Sequence, residues 1–227
     1  MVDRSNARTP RIRLKREERE RLIVSQAIAF FSEVGLSGDT TALAASMGVA
    51  QPLIYRYFEN KEALIARVFE ETFLSNWNPL WEEMLTDPAK DLRQRLLTFH
   101  NDFSRVQLTR ERVRLSLFFA LSGWDMQPYF RLMRNQVYVP IAEGLRAHAG
   151  APSIKSAPLR EFEVDLAKSI VEKIQYYGIR KWVYALPDLP PIEPLIEISV
   201  SALLDGAQVA VKSFQGKGRL YRHDRKQ

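Results

Sequence analysis

Apolar side chains recur along this chain at helical spacing. From Glu17 to Val34 the stripe is Ile23, Ala27, Phe30 with Phe31, and Val34, no alternation at period two interrupts it, and Gly35 predicts its end. Between Thr40 and Lys61 the pattern tightens into two short helices around a turn. Leu43, Ala44 and Met47 share one face, Gly48 supplies a residue tolerant of positive φ, and Val49 is the apolar plug between the helices. Pro52 suits the first turn of the second helix, and Ile54 with Phe58 points that helix back onto the first. The opposite face, with Gln51, Leu53, Tyr55, Arg56 and Tyr57, is left free. Asn60 is a good N-cap for the next helix, whose stripe Leu64/Ile65, Val68/Phe69, Thr72/Phe73 and Trp77 predicts a rod running to Pro79.

The remainder stays helical. Leu92, Leu96/Leu97, Phe99/His100 and Phe103 mark one helix, Val113 to Ser122 an unusually apolar one broken by Gly123, and Tyr129 to Leu145 another, with Pro140 inside it or kinking it. The segment 150–158 is the clearest loop. Two long helices close the chain, Leu159 to about Tyr184 and Glu193 to Phe214, joined by a proline-rich stretch. The expected fold is all-α. It comprises a basic N-terminal arm (1–16), a three-helix domain with a helix-turn-helix (17–62), a larger helical domain for ligand binding and dimerisation (63–214), and a basic tail (215–227).

A reading helix from Gln51 to Tyr57 that presents an amide, phenols and a guanidinium is suited to base edges and phosphates in a major groove. The run LAASMGVAQPLIYRYFENKEAL, Leu43 to Leu64, behind an amphipathic helix ending in Val34-Gly35, resembles the DNA-binding domain of the TetR (tetracycline-repressor) family of transcriptional regulators. The features that carry the resemblance are Leu-Ala-x-x-x-Gly-Val, then Leu/Ile-Tyr-x-Tyr-Phe, then a polar residue, Lys and Glu. Two departures stand out. Ala50 occupies the place where the family commonly has serine or threonine, and the segment from Gly35 to Leu43 is a residue shorter than usual. The resemblance implies a homodimer on double-stranded DNA at a palindromic operator. It assigns Gln51 to base edges, Leu53 to a thymine methyl, Tyr55, Tyr57 and Lys61 to phosphates, Arg56 to either, and Thr40 and Thr41 to phosphate near the preceding helix.

Composition narrows the alternatives. The chain has 227 residues, 46% of them hydrophobic, enough for a substantial core, and no cysteine, which removes disulfides, thiolate chemistry and Cys-type zinc sites. No apolar run of membrane-spanning length and no signal-like h-region occurs, so a cytoplasmic protein without a membrane partner is expected. The net charge of +6 is concentrated at the ends. Residues 1–16 and 212–227 each hold six basic side chains against one aspartate, leaving the middle net acidic. A basic arm beside a helix-turn-helix can follow a phosphate backbone; a solvated tail is the plainer reading.

No catalytic constellation emerges. His100, His148 and His223 are isolated, no metal-ligand spacing or phosphate loop occurs, and no cofactor is called for. The hint of a ligand site is aromatic: Phe99, His100, Phe103, Phe118, Phe119, Trp124, Met126, Tyr129, Tyr176, Tyr177 and Trp182 could line a cavity for an apolar or aromatic small-molecule effector. Each of them also suits ordinary core. The two last helices could build a dimer interface with Phe162, Leu166, Ile170, Ile196, Ser199, Leu203, Ala207 and Ala210; packing within the chain is the alternative. The expected function is that of a ligand-responsive repressor. An activator of the same fold, or a helical module that docks a partner protein, is the other reading.

Overall fold

The computed structural model describes residues 15–215 and contains eleven α-helices and no strand among them. The basic arm up to position 14 and the tail from position 216, with His223, lie outside the described residues. Helix α1 (Arg16–Val34) ends at Gly35, which takes φ 83° where the chain turns. α2 (Thr40–Ser46) begins at Asp39, whose carboxylate accepts the Thr41 N–H at 3.1 Å. Gly48, at φ 65°, then reverses the chain toward α3 (Pro52–Tyr55). The reading helix is therefore four residues long, shorter than the Gln51–Tyr57 stretch expected. Beyond Tyr55, Arg56 is exposed, Tyr57 half-buried, and Phe58 is pulled inward.

Helix α4 (Lys61–Phe69) starts on Asn60, whose side-chain oxygen accepts the Ala63 N–H at 2.7 Å. It does not continue as α-helix to Trp77. It widens into a π-helical turn over Glu70–Leu74, closed by the Ser75 N–H on the Glu70 carbonyl at 2.8 Å, and stops there. Trp77 instead stacks edge-on against Trp81 of α5 (Leu80–Thr86), a short helix that the apolar spacing did not signal.

The larger domain continues with α6 (Leu92–Gln107), capped by Asp91, and α7 (Arg110–Leu121), capped by Thr109. α8 (Gln127–Met133) passes through a second π turn, Arg134–Tyr138, into α9 (Val139–His148). Pro140 lacks the N–H an α-helix would use, and the wide turn immediately before it keeps the helix continuous. α10 (Glu161–Trp182) and α11 (Ile192–Gln215) complete the fold.

Two apolar clusters organise these helices. One joins α1–α4 to Leu115 and Phe119 of α7; the other fills the space among α5, α6, α9, α10 and α11. The first cluster crosses the boundary expected near residue 62, because Phe69 and Phe73 pack on Phe119 with ring centroids 5.2 and 5.8 Å apart. The residues Ile192–Ser213 are long and apolar enough to cross a membrane by length and composition. One side of that helix is buried against the bundle at Ile196, Val200, Leu203 and Ala207.

Candidate nucleic-acid interface and internal cavity

The three-helix domain presents one polar edge. Ile54 is 1% exposed and anchors α3 in the core, so its neighbours Tyr55 and Arg56 must face outward, and both are exposed. Gln51, Leu53, Tyr57 and Lys61 are half-buried on the same surface, and Thr41 is exposed at the start of α2. Arg16 lies over the Tyr57 ring at 5.8 Å, and Lys61 over the Phe31 ring at 6.0 Å. Thr40 is placed differently from expectation. It is 3% exposed; its hydroxyl accepts Gln51 Nε2 at 2.8 Å and shares a hydrogen bond of 2.9 Å with the Tyr55 hydroxyl. A side chain so enclosed faces no solvent. It ties α2 to both ends of α3 and fixes where Gln51 and Tyr55 sit.

A cavity of about 270 Å³ lies in the larger domain between α6, α7, α8, α10 and the π turn that follows α4. Of the aromatic set expected to form it, Phe103, Met126 and Tyr129 do line it. The others are elsewhere, for identifiable reasons. Phe99 and His100 are sealed in the bundle core, and Phe119 with Trp124 packs on Phe69. Phe118 stacks beneath Arg114 at the contact with Gly35. Tyr177 donates to the Pro190 carbonyl at 2.7 Å, Trp182 donates to the Leu108 carbonyl at 2.7 Å, and Tyr176 is 52% exposed.

The polar lining was not anticipated. Gln107, Arg112, Ser116, Tyr138 and Glu172 reach the cavity, together with Phe73 from the π turn. A signal existed: Arg112, Ser116 and Ala120 recur every fourth residue, a polar and small stripe beside the apolar Val113, Leu115, Leu117 and Phe119. Inside, the Gln107 Oε1 accepts Arg112 Nη2 at 3.0 Å, Arg112 Nε at 3.2 Å and the Tyr129 hydroxyl at 3.3 Å. Arg112 Nη1 also donates to the Thr72 carbonyl in the π turn. Burial holds the Arg112 pKa below that of a free guanidinium, with Tyr129 opposing. Burial raises the Tyr129 pKa, with Arg112 opposing, and raises that of Tyr138.

Most of the residues expected at a dimer interface are buried within the chain. Ile170, Ile196, Ser199, Leu203 and Ala207 are buried within the chain, and Phe162, Leu166 and Ala210 are half-buried. Ile170, Ile196, Leu203 and Ala207 lie on helix faces turned toward the protein's own core. The surface of α11 carries another stripe, Ile198, Ala202, Gly206 and Val209; Ile198 is 64% and Val209 72% exposed. A Cβ added at Gly206 would meet nothing within 4 Å. Among the described residues no cluster of three or more His, Asp or Glu could hold a metal ion.

Residues 23–68 match the family of bacterial regulatory proteins, tetR family. The chain is 32% identical over 87 residues to the class A tetracycline repressor protein from transposon 1721 of Escherichia coli, a match that takes in 35% of this chain. The chain spans about 40% of the length of that curated relative. Two solved structures share the fold across 87% of this chain, each with a TM-score of 0.57. One is a candidate TetR-family transcriptional regulator from Mesorhizobium loti, 16% identical and covered over 98% of its length; the other is a candidate transcriptional regulator from Pseudomonas aeruginosa, 17% identical and covered over 96%. The matched segment holds the latter part of α1, the α2–turn–α3 unit and nearly all of α4, with Ile54 inward and Tyr55 and Arg56 outward. Residues 23–68 thus carry a DNA-binding domain of the type found in bacterial regulatory proteins of the tetR family.

Proposed function

We propose that the protein is an effector-responsive repressor that binds a palindromic operator as a homodimer. The observation that carries the reading is a physical connection between the two sites. The cavity is walled by Phe73 and reached by Arg112, and Arg112 is bonded to the Thr72 carbonyl. Phe73 and Thr72 lie in the π turn that continues α4, the helix that closes the DNA-binding domain. A molecule that prefers one placement of Arg112 and Phe73 thereby shifts the orientation of α4, and with it the spacing of two reading helices that must sit about 34 Å apart, one turn of B-DNA.

On DNA, Tyr55, Tyr57, Lys61 and Thr41 serve phosphates, Leu53 a thymine methyl, and Arg56 either phosphate or base. Thr40 acts indirectly, as the support for Gln51 and Tyr55. Thr40 takes one of the two Gln51 Nε2 hydrogens, which leaves the Gln51 carbonyl oxygen and the second N–H for a base edge. The exposed α11 stripe Ile198, Ala202, Gly206 and Val209 is the surface on which a second copy packs, with Gly206 permitting close approach of the helices.

Gel shift and footprinting on the DNA flanking its own gene, at two salt concentrations, test this. A palindromic footprint and an affinity that falls steeply with salt are expected. Binding that ignores salt, or a footprint without symmetry, favours a module that docks a partner protein. Whether occupancy represses or activates is read from a reporter, since the sign depends on operator position.

A further inference from the structure

We propose that the α6–α7–α8–α10 cavity selects a small apolar molecule bearing a single carboxylate, held by Gln107 Nε2 and the Arg112 guanidinium. The inference rests on the reading of this cavity as the effector site. Gln107 is 5% exposed, and its Oε1 is committed to Arg112 and Tyr129, so the amide cannot turn over without facing donors with donors. Its Nε2 is buried and has no hydrogen-bond partner, and the residue lines the cavity. A buried donor left unmade is costly, and a ligand acceptor relieves it.

Arg112 is in a complementary condition. Its partners are neutral groups, Gln107 Oε1, the Thr72 carbonyl and the Tyr129 hydroxyl, and no carboxylate among the described residues forms an ion pair with it. Its guanidinium also lies over the Phe73 ring at 5.3 Å. These partners do not use all five of its N–H groups, and a planar carboxylate matches a guanidinium better than a hydroxyl does. Phe73, Phe103, Met126, Met133 and Val171 supply the apolar remainder, and the volume of about 270 Å³ sits near the small end of ligand cavities, which start at about 300 Å³. The acid that lines the same cavity, Glu172, is exposed at the rim, where it also faces a groove with Arg131, Arg134 and Lys168. Donors and positive charge are thus inside, and the acid is at the mouth.

The test compares 4-phenylbutyrate with 4-phenylbutan-1-ol, probes of equal shape apart from the carboxylate, by thermal shift and calorimetry on DNA-free full-length protein. The acid is expected to raise the midpoint by about 3 °C or more near saturation and to bind at least about tenfold tighter than the alcohol. Gln107→Glu builds a carboxylate against Arg112 in nearly the same volume and is expected to abolish the preference; Arg112→Met is expected to do the same. Equal affinities, no shift with the acid, or a preference that survives in Gln107→Glu overturns the proposal. Cooperative unfolding of each variant shows that it is folded. The outcome is separable from the operator reading: acid selectivity without any operator binding leaves the carboxylate site standing and removes the repressor.

Discussion

Thr40 governs an exposed surface from a buried position. It holds Gln51 and Tyr55 through one hydroxyl, so replacing it by valine keeps the shape and strips both bonds. Thr40→Val is expected to weaken operator binding about three- to tenfold, the size of a lost neutral hydrogen bond or two, with the salt slope unchanged. Arg56→Ala, by contrast, is expected to lower the salt slope by about one if it serves a phosphate, or to relax specificity at one base position if it reads an edge. Titrations at several salt concentrations separate the two. His100 is a residue of another kind. It is fully buried, its ring nitrogens have no partners, and burial depresses its pKa to about 3. The folded protein keeps it neutral while the unfolded chain takes up a proton below about pH 6.5. Stability is then undiminished above that value and falls as pH drops toward 3, by at most about 1.4 kcal/mol per pH unit. Urea unfolding of His100→Leu at about pH 6 and pH 4 is expected to show a shallower loss than the parent; an equal slope assigns the acid sensitivity to other groups.

At the scale of elements, interruptions of regular helix matter most. The π turn after α4 ends the rod early, turns Phe73 toward the cavity and offers the Thr72 carbonyl to Arg112, while the π turn before Pro140 lets α8 and α9 run as one. The loop between α9 and α10 is held by a different device. Arg146 is ion-paired with Glu163, both nearly buried, and also donates to the Ala157 and Pro158 carbonyls at 2.6 and 2.9 Å. The Glu163 hydrogen bonds hold its pKa low against desolvation, and the Glu163 carboxylate raises that of Arg146. Arg146→Met leaves the Glu163 charge and loop carbonyls without their donor. A loss of about 3–5 kcal/mol is expected from the urea midpoint, and a loss below 1 kcal/mol would show the loop to be held by other contacts.

For the molecule as a whole, the connection between cavity and reading helix has meaning only if two reading helices are held together. The exposed α11 stripe makes a direct test possible. Ile198→Asp puts a charge into the apolar patch without touching the core, so the monomer is expected to stay folded while light scattering shows loss of the dimer. Footprint protection of a full palindrome should vanish with it, because each half-site alone has too few contacts. An Ile198→Asp protein that remains dimeric moves the interface elsewhere on the surface.

What the amino-acid order determined by itself is what depends on near neighbours. Helix periodicity, the positive-φ stops at Gly35 and Gly48, the Asn60 cap and the outward display of Tyr55 and Arg56 all follow from residues within a turn or two of each other. The TetR-type unit was therefore legible, though the extent of its reading helix was not. Only the tertiary structure decided which apolar stripe of α11 meets the chain's own core and which stays outside, since both stripes are apolar and differ only in what lies opposite. The same holds for the cavity. Gln107, Arg112 and Phe73 come from three different elements, and the polar end they form exists only where α6, α7 and the π turn converge. Aromatic content along the sequence marks burial; what distinguishes a cavity from a core is an unfilled volume with unmet donors in its wall, which is a property of packing between distant segments.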